Sequence, residues 1–370
     1  MISNFVEGFV QNEAFATLTT IYNSNRIPHA FIFSGKEGVG KHSTAIEFAK
    51  LLNSNLPDEK RRIINRKIQC LEEPFVKYIF PLPRGKGETG DDTAYQKLPK
   101  DAIEQIQNEI KIKTENPFHT IRIDKANSIK INSIREIRKF ISIGYDDVKY
   151  RFIIINDAHL MQDEAQNALL KGLEEPPEGI IFILLTPYVD KLLPTILSRC
   201  WKIDFKPLQR TIVQEVLENK FKLERDTAQK VSFFSDGSVT EGYRLSQKNF
   251  EEIIVSAINL LRFALAGRYN TAFKHMNEFL EDSPKESMNL LIGLIMRWLN
   301  DTVKNRNDLQ DYYFENYSET LVKFNKKFNH ADVLNVYEHL EEQQAAISKN
   351  VSLNVIAMNI IFDIASIAMR

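Results

Sequence analysis

The chain has 370 residues, enough for two or three domains, and 43% of them are hydrophobic, which supports full cores. Its formal net charge of −1 excludes a whole-molecule field that draws it to nucleic acid or acidic membrane; any such contact must be a local patch. Cys70 and Cys200 stand far apart, which fits a reducing compartment and argues against a disulfide framework or a four-cysteine zinc site. The opening MISNFVEGFV has no basic region or cleavage site, and no apolar run reaches membrane-spanning length. The expectation is a soluble cytoplasmic protein without a signal peptide.

In chain order, Ala14 to Asn25 reads as a helix, and Phe31-Ile32-Phe33 as a short strand. GKEGVGK, Gly35 to Lys41, follows, and Ser43 to Leu52 is helical. Strand, glycine-rich turn, helix is the context of a phosphate-binding P-loop. Gly35, Gly38 and Gly40 let backbone N–H groups face phosphate oxygens, the helix N-terminus adds its dipole, and Lys41 would reach the outer phosphates. The full motif needs Ser or Thr after the lysine to hold Mg²⁺. His42 stands there, a poor ligand for a hard cation, and Ser43 comes one residue too late. The competing reading is a plain turn between a strand and a helix.

Asn53 to Phe118 is the least legible stretch. Arg61, Arg62, Arg66 and Lys67 are basic, Pro81 to Gly87 reads as an exposed loop, and polar Gly85 to Asp101 is expected to be disordered. Ala102 to Lys113 reads as an amphipathic helix, Cys70 as a free buried thiol and Thr120 to Asp124 (TIRID) as a strand. Ile131 to Ile143 is helical, with Ile134, Ile137 and Ile141 facing the core and Arg135, Arg138 and Lys139 elsewhere on its surface.

The most informative stretch runs from Arg151 to Pro207. Phe152 to Ile155 is an unbroken apolar run, a strand buried on both faces, and Asn156-Asp157 follow at its carboxyl end, where open α/β sheets bind ligands. Gln162 to Leu173 is helical until Glu174-Glu175-Pro176-Pro177 stops it, because proline disfavours the helical conformation in the residue before it. Ile180 to Leu185 is a second buried strand ending at Thr186, and a short helix leads to Ser198-Arg199-Cys200. From Gln209 to Asn249, stripes at Val213, Val216, Leu217 and Phe221 and at Ala228, Val231, Ser232 and Phe234 describe a small helical domain. From Glu251 on the pattern is all helical, with faces at Ile254, Ile258, Leu261 and Leu265, at Leu291, Leu294, Ile295 and Trp298, and at Leu353, Ile356, Ile360 and Ile364.

ALLKGLEEPP, Ala168 to Pro177, followed by LLPTILSRC, Leu192 to Cys200, resembles the clamp-loader branch of the AAA+ ATPases. The resemblance implies an α/β P-loop domain with a parallel sheet over 1–207, a helical lid over 208–249 and an all-helical C-terminal collar over 250–370 that joins subunits into a ring. It makes Arg135, Arg138 and Lys139 candidates for phosphate contacts with DNA; the bland alternative is a solvated helix face. Family members often carry a γ-phosphate-touching arginine near Thr240 and Glu241; here Arg244 arrives later and makes a weak candidate. The zinc module of many relatives needs four cysteines; no zinc or other metal is expected here.

Gly35, Gly38, Gly40, Lys41, His42, Ser43, Asn156, Asp157 and Thr186 form the candidate nucleotide site, in degenerate form. Active relatives end the strand in Asp-Glu; Asn156 is neutral, and Asp157 is one methylene short of glutamate. With His42, three catalytic positions depart, so ATP or ADP would bind weakly or not at all, without hydrolysis. Ser198-Arg199-Cys200 matches the family's arginine finger, which acts in trans on a neighbour's ATP; the alternative is an internal salt bridge for Arg199. The resemblance thus implies a non-hydrolysing subunit of a bacterial clamp loader, with the loader's ATPase subunits, the delta subunit, the sliding clamp and primed DNA as partners. Two rivals remain: a working motor subunit of the same machine, and an AAA+ DNA-repair scaffold.

Overall fold

The computed structural model describes residues 13–145, 147–280, 284–309, 312–348 and 351–369. Two compact units divide the chain, Met1–Arg244 and Leu245–Arg370.

In the first unit five parallel strands form one sheet: β1 (Ala30–Ser34), β2 (Val76–Ile79), β3 (Arg151–Ile155), β4 (Ile180–Thr186) and β5 (Trp201–Asp204), in the order β2-β3-β4-β1-β5. Every residue of β1, β3 and β4 is buried, as expected for a sheet covered on both faces. Side chains alternate between faces. Phe31 and Phe33 enter one core with α1 (Glu13–Asn23), α2 (Lys41–Leu52) and α3 (Asp58–Gln69). Ile32 enters the other with α5 (Ile131–Ser142) and α6 (Asp163–Glu174). The register pairs Ala30 with Phe182 and Ser34 with Thr186, so β1 and β4 end side by side at the P-loop.

Four expectations are corrected in this unit. Thr120 to Asp124 is not a strand; β2, at Val76–Ile79, supplies the outer partner of β3. Ile121 and Ile123 only half-bury against the core, and Arg122 donates its backbone N–H to Glu109 of α4 (Lys100–Glu115) at 2.7 Å, a helix contact instead of a strand ladder. Residues 85–99 are ordered coil, because buried Ala94 and Leu98 anchor them and Glu88 takes Lys130 Nζ at 2.9 Å and Asn132 Nδ2 at 3.1 Å. On α5, Ile134 and Ile137 are buried as expected, but Phe140 takes the third core position and Ile141 is half-buried. The Cys70 thiol is likewise only half-buried.

Arg151 staples α5 to the sheet. Buried at the start of β3, it donates Nη2 to Phe140 O at 2.6 Å, Nη1 to Ile143 O at 2.7 Å and Nε to Pro74 O at 2.9 Å, and its guanidinium lies 4.2 Å from the Phe140 ring centre. A cation suits the carbonyl-rich end of a helix.

After β5, α7 having already passed as the short Pro194–Leu197 helix, the chain forms α8 (Arg210–Phe221), α9 (Arg225–Phe234) and α10 (Val239–Ser246). The start of α10 leans on the P-loop: Val239 N–H donates to Gly38 O at 3.0 Å. Gly38 has φ +75°, and a Cβ there would stand 2.2 Å from Ser238 Oγ and 2.7 Å from Thr240 N, so only glycine fits.

The second unit is helical: α11 (Phe250–Leu265), α12 (Tyr269–Phe279), α13 (Pro284–Arg306), α14 (Ser318–Lys327), α15 (Val333–Ser348) and α16 (Leu353–Met369). Leu291, Leu294, Ile295 and Trp298 of α13 are buried, as are Ile356, Ile360 and Ile364 of α16. On its other side α16 exposes Val355, Met358, Phe362 and Met369, beside a groove of about 800 Å³ against α12 lined by Tyr269, Phe273 and Ile361. Among the described residues no helix is long and apolar enough to cross a membrane.

Candidate functional site

A cleft of about 640 Å³ opens at the carboxyl ends of β1, β3 and β4. It gathers Gly38, Gly40, Lys41 and His42 from the P-loop and Asn156 and Asp157 from the end of β3. Gly35, at φ +147°, makes the turn out of β1, donates its N–H to Thr186 O at 3.2 Å and sits so close to Phe205 O that a Cβ would fall 2.3 Å away.

The charged groups are turned inward. Lys41 Nζ donates to its own loop, to Gly35 O and to Lys36 O at 2.6 Å. Burial pulls its ammonium down to about 8, against the attraction of Asp157 and Glu37. His42 is buried edge-on to Tyr78, 5.5 Å between ring centres, and burial holds it neutral, well below the ordinary imidazole range. Ser43 Oγ is buried without a hydrogen-bond partner among the described residues and is absent from the cleft lining. Asn156 spends its amide on Asp157 Oδ2 at 2.8 Å. Asp157 has left-handed backbone, φ 54°, and burial, then the nearby Glu37 carboxylate, push its acid up to about 6. The Thr186 hydroxyl is occupied by Tyr188, accepting its N–H at 3.0 Å.

The site holds groups that the sequence did not single out, and the most deeply buried of these charges is a lysine. Lys113, from the last turn of α4, lines the cleft and is 6% exposed. It donates to Pro117 O at 2.8 Å and His119 O at 2.7 Å, and burial brings it down to about 8. Its signal was available in the amphipathic helix ending at Lys113, but not its direction. Glu37 also lines the cleft and accepts a hydrogen bond from the Thr120 hydroxyl. Thr240 reaches the lining and donates to Phe118 O at 2.8 Å, whereas Arg244 pairs with Glu241 at 2.9 Å and lies outside the lining. Among the described residues no group of three or more His, Cys, Asp or Glu is placed to hold a metal ion.

At a separate corner, Arg199 follows α7 and precedes β5. Its Nη2 contacts Glu174 Oε1 at 2.8 Å and its Nη1 donates to Thr195 O at 2.9 Å. The side chains of Arg199 and Glu174 are 34% and 48% exposed, so the pair lies at the surface. The two sequence blocks thus meet: Glu174 belongs to LEEPP and Arg199 to SRC. Beside them the half-buried Cys200 has its thiol pushed up to about 12 by desolvation. On α5, Arg138 and Lys139 are exposed, while Arg135 donates to Gly90 O.

The family profile described as "DNA polymerase III, delta subunit" matches residues 10–209. Among curated relatives, the DNA polymerase III subunit gamma/tau of Mycoplasma genitalium is 27% identical over 309 residues, 81% of this chain and 45% of that protein. The subunit tau/gamma of Haemophilus influenzae is 30% identical over 251 residues, 66% of this chain and 30% of its own length. The chain therefore spans less than half the length of these relatives. A solved Thermotoga maritima protein related to the gamma subunit shares 16% identity, with a TM-score of 0.45 over 96% of this chain and 99% of that one. With the family match extending over more than half of its residues, the chain belongs to the DNA polymerase III, delta subunit family.

Proposed function

We propose that the chain is a non-hydrolysing, delta-prime-like subunit of a bacterial clamp loader. It assembles with the loader's ATPase subunits and the delta subunit, offers Arg199 to a neighbour's ATP, and supports placement of the sliding clamp on primed DNA in the cytoplasm. The observation that carries this reading is the state of the three hydrolytic positions. His42 is buried and neutral, and Asn156 and Asp157 are hydrogen-bonded to each other. Hydrolysis needs a metal-holding hydroxyl and carboxylate and a group that aims water. A misplacement of about 1 Å costs about 10²-fold in rate.

Arg199 supports the complementary half. A surface ion pair contributes about 0–1 kcal/mol, so its guanidinium leaves Glu174 at little cost when a phosphate is offered. A forked, permanently charged group suits that phosphate. The exposed apolar face of α16 supports assembly through the C-terminal unit.

One observation favours a second reading, a working motor subunit: the relatives reported above are named gamma/tau or tau/gamma. Incubation of the purified chain with Mg²⁺ and ATP separates the two. Absent turnover supports the first; turnover abolished by Lys41→Ala establishes the second.

A further inference from the structure

The cleft does not suit a divalent metal. Mg²⁺ seeks oxygen ligands in octahedral array. The position after Lys41 offers a buried imidazole whose Nδ1 lies 3.5 Å from the Tyr78 hydroxyl. Ser43 Oγ is buried and outside the lining, and Asn156 fills one Asp157 oxygen at 2.8 Å. A hydroxyl and a free carboxylate, the pair that holds the metal in P-loop NTPases, are not both presented.

The cleft does suit phosphates. Its glycine turn opens on a volume of about 640 Å³, and Lys113 brings a second inward-held ammonium group to its wall beside Lys41. Each ammonium has three N–H donors. Lys113, 6% exposed, commits two of them to Pro117 O and His119 O; among the described residues nothing takes the third. Lys41 is arranged in the same way, on Gly35 O and Lys36 O. Lys36 adds a third cation to the lining, against the carboxylates of Glu37 and Asp157. His119, at 2.8 Å from Glu109, His159 and the Tyr188 phenol complete the titratable groups of the wall with His42.

We propose that this cleft binds the polyphosphate of a nucleotide without a divalent metal, with Lys113 supplying the charge compensation that Mg²⁺ supplies in hydrolysing sites. The proposal rests on the non-hydrolysing reading and gives that site a ligand. Bound this way, the nucleotide is a static pin. It ties α4 to the P-loop and to Thr240 at the start of α10, and no metal polarises its terminal phosphate.

The test is calorimetric titration of the purified full chain with ADP, and separately with inorganic pyrophosphate, in EDTA and in excess Mg²⁺. ADP should bind in EDTA at least as tightly as in Mg²⁺. Lys113→Gln should weaken binding about tenfold or more, as expected for a lost charge-assisted hydrogen bond, and Lys113→Arg should retain most of it. Pyrophosphate binding with the same metal independence assigns recognition to the phosphates; binding of ADP alone retains the proposal and adds the base. Absence of binding in EDTA, a requirement for Mg²⁺, or wild-type affinity in Lys113→Gln overturns it. If Lys113→Gln does not fold, the metal titration of the wild-type chain decides. ATP turnover in the same samples would remove the non-hydrolysing reading while leaving the EDTA result to stand or fall by itself.

Discussion

At the P-loop the charged side chains are folded in on the protein: Lys41 on its own loop carbonyls, His42 under Tyr78, Asp157 against Asn156. At the Arg199 corner the guanidinium lies on the surface, tied by an exposed carboxylate and a carbonyl. The first region carries all three departures from a hydrolytic motif, and the second carries none. On the proposed reading, this contrast is the pattern of a subunit whose chemistry is done elsewhere. It teaches that departures in one motif need not extend to the next: the charged group at the second corner faces outward, where a neighbouring molecule can reach it.

The sharpest way to break this comparison is Arg199→Ala in a loader reconstituted with its ATPase subunits. Assembly should be retained, and turnover at the site that Arg199 reaches should fall by about 10³-fold or more. Unchanged steady-state ATPase would remove the finger from the account.

The next effect is on stability and concerns the inward-facing region. The folded state holds the Asp157 proton up to about 6, above the ordinary 3.8. The stability associated with that proton is fully present below the ordinary value and is lost as pH rises through about 6. Asp157→Asn should therefore stabilise the chain by about 1–3 kcal/mol above that pH and by almost nothing below about 4. Asparagine also tolerates the left-handed backbone there. Urea unfolding on both sides of the window checks it; equal gains on both sides would mean that titration is not the cause.

Smaller effects sharpen the outward-facing side. Arg138→Ala with Lys139→Ala should flatten the dependence of DNA affinity on salt by about 0.9 per lost phosphate contact in the log–log slope. Arg135→Ala should change it less, because Arg135 already serves Gly90. Equal slopes in all variants would leave α5 as a solvated face. Glu174→Gln should cost about 0–1 kcal/mol in thermal unfolding and leave the loader's ATPase unreduced, since it only frees Arg199. A lowered ATPase would show instead that Glu174 aims the guanidinium.

Where the sequence was legible, one physical signal dominated. FIII and IIFILL are apolar without interruption, and β3 and β4 are buried throughout. The glycine turn followed by Lys41 was equally readable, because strand, turn and helix each carry their own pattern. TIRID reads as a strand because it alternates, and VKYI carries no such signal; β2 became the strand because Val76 to Ile79 pairs with Phe152 to Ile155. The polar 85–101 stretch hid its anchors, because two small apolar plugs and one carboxylate decide its order. Lys113 escaped for a related reason. A lysine at the end of an amphipathic helix reads as a surface charge until the chain beyond it turns back and offers two carbonyls.

Arg151 has a mechanical consequence. It grips the end of α5 at two carbonyls and the approach to β2 at a third, and it begins the strand whose other end presents Asn156 and Asp157. The helix cannot slip along the sheet without surrendering its two bonds to Arg151. A load on its outer face is therefore transmitted like torque on a crank handle, straight to the base of β3. Any load borne by Arg138 and Lys139 on that face would bear on the strand whose far end lines the cleft.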